Sequence, residues 1–128
     1  MSGSSTQPTP AASLLLVMAT DAAVRLYSQS LEGAGYRVRP AGSLKDVEQA
    51  CHSERFDLIL VADALEPKVK RAIGLTIRHF LPEAPILQIG RTRPDIEGNC
   101  FVTGSSADDV LRAIRRILRH DEIPPAAL

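Results

Sequence analysis

Two uninterrupted apolar runs punctuate the first half of the chain, Ser13 to Met18 (SLLLVM) and Leu58 to Val61 (LILV). Both are too short for helices and rich enough in aliphatic residues to predict strands covered on both faces, as in a parallel sheet. The second lies in the stretch Phe56 to Pro67 (FDLILVADALEP), which reads as the central strand followed by the loop where chemistry is expected. Between the two runs, Val24, Tyr27, Leu31 and Ala34 recur at helical spacing, predicting a helix from Asp21 to Gly35 that ends at Gly33 and Gly35. Tyr36 to Arg39 then alternates apolar and basic residues, as a half-exposed edge strand does, with Arg37 and Arg39 towards solvent and Pro40 closing it.

The second half repeats the pattern. Ser43, with Asp46 three residues on, predicts the start of a helix that buries Leu44, Val47 and Cys51. After the central strand, Pro67 suits a first helical turn, Val69, Ala72, Ile73, Ile77 and Phe80 form an inner stripe, and Pro82 stops the helix. Pro85 to Ile89 (PILQI) and Cys100 to Thr103 (CFVT) are the fourth and fifth strands. A last helix from Ser106 has Asp108 and Asp109 near its positive end and buries Val110, Leu111, Ile114, Ile117 and Leu118. Its outer face carries Arg112, Arg115, Arg116 and Arg119, which complement the carboxyl end of the helix dipole or offer a partner site.

Strands alternating with helices predict an α/β domain with a doubly wound, five-stranded parallel sheet. The common small solution has strand order 2-1-3-4-5 and places ligands outside the carboxyl ends of the strands. The domain is expected over residues 13–120. Residues 1–12 (MSGSSTQPTPAA) have the composition of a disordered tail, and residues 121–128 form a second tail whose Pro-Pro pair cannot continue a helix. The two tails suggest a free-standing unit.

Composition narrows the function classes. Fifteen basic and fifteen acidic residues balance, which argues against nucleic acid or an anionic membrane as partner and favours protein partners. Cys51 and Cys100 show no ligand spacing and fit a reducing interior, so both are expected as small buried hydrophobes in a cytoplasmic protein. His52, His79 and His120 sit on helices far apart in sequence, without metal-ligand spacing. No Gly-rich dinucleotide or P-loop pattern follows a strand, and Asp21 is followed by Ala22 and Ala23, with no histidine for a cobalamin site.

From Ser13 to Arg119 the chain resembles a response-regulator receiver domain, of the chemotaxis type and flavodoxin-like fold. The segments that carry the resemblance are LLLVMATDAAVRLYSQSLEGAGYRV, FDLILVADALEP, PILQI and FVTGSSADDVLRAIRRIL. It implies a signalling module of two-component, phosphorelay type rather than an enzyme. In such domains an aspartate ending the third strand accepts a phosphoryl group, two acids after the first strand hold Mg²⁺, and a hydroxyl and a lysine after the fourth and fifth strands neutralise phosphoryl oxygens.

At the matching positions this chain has Ala19 and Thr20 for the acidic pair, Ala62 for the acceptor, Gly90 for the hydroxyl and Thr103 for the lysine. Asp21 is the acid that remains near the first pair, and it is equally the expected N-cap of the first helix. Counting back from Pro67 instead of forward from Phe56 would make Asp63 the acceptor. A one-residue slip turns a strand side chain to the opposite face, so Asp63 would need a bulge to reach the pocket.

The expectation is therefore a pseudo-receiver without phosphorylation chemistry or cofactor, acting through protein–protein contact with other signalling proteins and weak homodimerisation. One alternative is a working acceptor at Asp63, with Asp21 on Mg²⁺. Another is a small-ligand or anion sensor using the amino terminus of the last helix beyond Gly104, where Ser105 or Ser106 equally serves as a plain cap. Ten residues from Gly90 to Asn99 are few for a helical crossover, so the fourth helix of the receiver pattern is expected to be shortened or missing. Arg91 and Arg93 in that loop are either solvated or part of a surface for an acidic partner, together with Arg112 and Arg116.

Overall fold

The computed structural model describes residues 12–62, 65–90 and 100–118. The elements run β1 (Ser13–Val17), α1 (Asp21–Gly33), β2 (Arg37–Ala41), α2 (Leu44–Ser53), β3 (Leu58–Ala62), α3 (Pro67–Phe80), β4 (Ile86–Ile89), β5 (Cys100–Thr103) and α4 (Ala107–Leu118). All strand pairs are parallel, and the sheet order is β2-β1-β3-β4-β5, the doubly wound order expected from the sequence.

Alternation along the strands sorts the core into two layers. Leu15, Val17, Ile59, Val61 and Ile86 face α2 and α3, where Val47, Ala50, Cys51, Ile73 and Ile77 meet them. Leu14, Leu16, Leu58, Leu60, Leu87 and Ile89 face α1 and α4 and pack on Tyr27, Leu31, Val110 and Ile114. The leucines of β1 and β3 are fully buried, each contributing about 1.5–3 kcal/mol of apolar transfer free energy. Burial on both faces is why these strands read as continuous apolar runs.

At the amino-terminal edge, the Asp57 backbone N–H donates to the Ser13 carbonyl at 2.8 Å and the Asp57 carboxylate accepts from the Ser13 N–H at 2.8 Å. This reciprocal pair fixes the register of β1 on β3, in which Val17 lies opposite Val61.

Several expectations are corrected. β2 passes through Pro40, which lies opposite Leu16, because an edge strand has outward N–H positions that proline can occupy. Arg39 is half-buried and pairs with Glu54. Ala34 is exposed at the C-cap of α1 instead of continuing its inner face. On α3 the inward stripe is Lys70, Ile73, Gly74 and Ile77, with Val69 and Ala72 half-buried and Phe80 36% exposed. The stripe is rotated because Lys70 falls in register with Ile73 and Ile77 at i+3 and i+7.

Cys51 is buried, Cys100 is half-buried, and neither forms a disulfide. The described residues contain four helices, and none is long and apolar enough to cross a membrane. Of the expected tail at 1–12, residues 1–11 lie outside the described residues, as do the tail at 121–128, the short crossover at 91–99, and His120, while the Ala12 carbonyl accepts the Arg37 N–H at 2.9 Å.

Candidate functional site

The carboxyl edge of the sheet gathers the positions singled out in the sequence. β1 ends at Val17, the Met18 N–H donates to the Ala41 carbonyl at 3.2 Å, and the exposed residues Ala19 and Thr20 lead into α1. Thr20 has extended backbone, and its Oγ1 accepts the Ala23 N–H at 3.2 Å. Thr20 is thus the N-cap, and Asp21, expected in that role, is the exposed first residue of the helix. Both residue types cap well; the one whose backbone is extended takes the position.

β3 ends at Ala62, half-buried and paired across the sheet with Ile89. Its methyl group lies on the same face as Leu58 and Leu60, against the layer formed with α1 and α4. Asp63 lies outside the described residues. β4 is followed by Gly90, which has φ of +90°, a left-handed conformation that favours glycine, and its N–H donates to the Thr103 carbonyl at 2.7 Å. Thr103, opposite Ile89, donates its hydroxyl to the Asp109 carbonyl at 3.2 Å.

The turn from β5 into α4 is occupied by the protein's own groups. The Ser106 hydroxyl accepts the Asp109 N–H at 3.0 Å, so Ser106 is the cap. The Asp109 carboxylate fills the space beside Gly104, where an added Cβ would meet its Oδ2 at 2.5 Å, and it faces Arg112 at 3.5 Å. Asp108 and Asp109 supply negative charge to this helix end and would repel a bound anion. Tyr27 donates its hydroxyl to the Ser105 carbonyl and so ties α1 to the same turn, and burial pushes its phenol pKa up.

This edge therefore brings together Ala19, Thr20, Ala62, Gly90 and Thr103, which offer methyl groups, backbone and two engaged hydroxyls. Mg²⁺ prefers carboxylate oxygens and bound water in octahedral geometry. Those five positions contain no carboxylate; among the described residues Asp21 follows Thr20 and the Asp109 carboxylate lies beside Gly104, facing Arg112, so these residues do not fit the metal that a receiver fold implies. Among the described residues no group of three or more His, Cys, Asp or Glu is gathered as a metal site. Thr103 and Gly104 supply no cation for a phosphoryl oxygen.

Of the expected partner residues, Arg112 and Arg116 are exposed on α4, while Arg91 and Arg93 lie outside the described residues. Three features were not expected from the sequence. Lys70 is 2% exposed and Gln88 is fully buried in β4, where its Oε1 lies 3.5 Å from the Cys100 thiol. His52 and His79 stack edge-on against Phe80, with ring centroids 5.9 and 4.8 Å apart, at the amino-terminal edge of the sheet. Leu75 stands 74% exposed on α3. The spacing of Lys70 from Ile73 and Ile77 was the available signal for its burial; the histidine pair depends on the packing of α2 on α3 and leaves no local trace.

No protein-family model matches the sequence, and no curated protein does. Solved structures do share the fold. Chemotaxis protein CheY4 of Vibrio cholerae is 19% identical with a TM-score of 0.71, over 84% of this chain and 98% of that one. A CheY-like response-regulator receiver domain protein of Methanospirillum hungatei is 18% identical with a TM-score of 0.73, over 88% and 97%. The receiver domain of a sensor histidine kinase of Pseudomonas aeruginosa, with a magnesium ion coordinated in its active-site cleft, is 17% identical with a TM-score of 0.68, over 84% and 98%. At these identities the likeness establishes a receiver fold.

Proposed function

We propose that the chain is a receiver-like module of two-component signalling that works without phosphorylation, by docking to other signalling proteins in the cytoplasm, and that it needs no cofactor. The observation that carries this is the position of Ala62. It ends the central strand on the face shared with α1 and α4, where the receiver pattern has its acceptor, and a methyl group there has no nucleophilic oxygen. Ala19, Thr20, Gly90 and Thr103 at the surrounding strand ends support the same reading: at these aligned positions there is no nucleophilic oxygen, no acidic metal ligand and no charge-neutralising lysine. A phosphoryl group would have neither an attacking carboxylate nor screening of its charge.

The fold supplies a rigid scaffold and leaves the outer helix faces as the means of action. The test is incubation with Mg²⁺ and a small phosphodonor such as acetyl phosphate, followed by intact mass. The expected outcome is an unchanged mass. A labile gain of one phosphoryl group that disappears in Asp63→Asn would overturn the proposal and identify Asp63 as a working acceptor.

A further inference from the structure

α3 differs from the other helices in charge and in what it exposes. Its fourteen residues include Lys68, Lys70, Arg71, Arg78 and His79 and no acid, whereas α1, α2 and α4 each carry acidic residues in the first turn. α1, α2 and α4 begin with hydroxyl caps at Thr20, Ser43 and Ser106, while the Glu66 side chain makes no cap bond to α3. Arg78 and His79 in the last turn complement the helix dipole, but Lys68, Lys70 and Arg71 in the first two turns oppose its positive end, so these amino-terminal cations do not serve the helix's own dipole.

Leu75 lies at the middle of the outward face. Residues three and four apart are neighbours on a helix surface, which puts Arg71 and His79 on either side of Leu75 and Lys68 one turn beyond Arg71. Lys68, Arg71 and His79 are exposed, and among the described residues neither Lys68 nor Arg71 has an ion-pair partner. The buried stripe of Lys70, Ile73, Gly74 and Ile77 lies on the opposite side, so Leu75 cannot turn into the core. Leu26, 60% exposed on α1, differs: its neighbours at three and four residues are Ala22, Ala23, Gln29 and Ser30, all uncharged.

We infer that the outer face of α3 is a docking site for an acidic, leucine-bearing segment of a partner protein. An apolar side chain seats on Leu75, and carboxylates meet Lys68 and Arg71, with His79 at the far end of the face. The span from Lys68 to His79 is about 16 Å, three turns of a helix. Charge complementarity defines the occupant. One leucine offers too little apolar surface to anchor in a lipid bilayer, and the chain as a whole is neutral, with 15 basic and 15 acidic residues, which disfavours a polyanion such as DNA. The inference rests on the proposed mode of action by protein contact and names the surface and the chemistry of its partner.

The test is fluorescence anisotropy of the whole chain with a labelled helical peptide of about four turns, rich in Glu with leucines at helical spacing. A matched peptide with every Glu replaced by Lys, anionic vesicles and duplex DNA are run in parallel. The expected result is saturable, salt-sensitive binding of the acidic peptide alone, weakened roughly tenfold by Lys68→Glu with Arg71→Glu. Leu75→Ser weakens it several-fold, while Arg112→Glu with Arg116→Glu leaves it unchanged. These positions are exposed, and thermal unfolding confirms that each variant folds.

Absence of saturable peptide binding, equal loss from the α4 pair, or preferential binding of vesicles or DNA would each overturn the inference. Phosphoryl transfer to Asp63 would defeat the proposed function without touching peptide binding. Failure of the peptide on an unphosphorylated chain would defeat the docking site alone.

Discussion

Replacing Ala62 by aspartate puts a carboxylate at a sheet edge where Ala19, Thr20, Gly90 and Thr103 bring no cation to receive it. The position is half-buried, so the introduced group keeps part of its hydration, and the cost of leaving it ionised and unpaired is about 1–3 kcal/mol instead of the several expected for a fully buried site. One pKa unit corresponds to about 1.4 kcal/mol, so the introduced carboxyl should titrate about one to two units above its unfolded value near 3.9. The native state then binds more protons than the unfolded state across that window, and stability falls as pH rises through it. The penalty should be small below about pH 4 and complete by about pH 6. Urea unfolding across this range measures it, with Ala62→Asn as the uncharged control whose effect should not depend on pH. Mg²⁺ should not restore the loss. Thr103→Lys should recover part of it, because Thr103 is two strands away, about 10 Å. An Ala62→Asp chain as stable as its parent at neutral pH, or one rescued by Mg²⁺, would refute the uncharged-edge account.

Three further outcomes follow from contacts already described. Tyr27→Phe removes the hydroxyl bond to the Ser105 carbonyl and should cost about 1 kcal/mol, seen as a Tm lower by several degrees; because burial raises the Tyr27 pKa above its ordinary 10.0, stability should also fall as pH rises through the native value, an effect absent from the variant. Ser106→Ala frees the Asp109 N–H and should cost about 1 kcal/mol in urea unfolding, and an unchanged midpoint would mean that water replaces the cap fully. Alkylation followed by mass spectrometry should modify half-buried Cys100 well before Cys51, which is buried and whose thiol pKa is pushed up by that burial; equal rates would contradict the packing of α2.

The strands were legible because two-sided burial writes itself into a chain as consecutive aliphatic residues, and SLLLV and LILV could hardly be anything else. Helix faces were less so. An amphipathic stripe fixes a direction only to within a residue or two, and the type of Lys70 suggests solvent although its spacing places it inward. The cap of α1 was ambiguous for a related reason: Thr20 and Asp21 are adjacent and equally suited, and only the backbone dihedrals distinguish them. Pro40 looked like a terminator because a missing N–H ends a ladder, but on the outer strand there is no further ladder to end. The carboxyl-edge positions could be picked out by counting, since a period of two assigns Leu58, Leu60 and Ala62 to one face. The amino-terminal cluster of His52, Phe80 and His79 could not, because it depends on two helices meeting.

The two layers of the core and the carboxyl edge answer to different physics, and this is how a fold can outlive a chemistry. Leu14, Leu16, Leu58 and Leu60 stabilise the sheet by leaving water, a contribution indifferent to what stands at the strand ends. A cluster of carboxylates at those ends would instead repel itself and carry a desolvation cost that a bound cation must offset. Ala19, Thr20, Ala62 and Thr103 bring no such cost, and the turn into α4 is held by the Ser106 cap and the Tyr27 hydroxyl. On the proposed reading such an edge has no phosphoryl group to relay to the helices, and a partner would recognise a surface that is present all the time. The outer face of α3, with Lys68 and Arg71 exposed near its amino end and Leu75 74% exposed beyond them, is the surface we infer for that role.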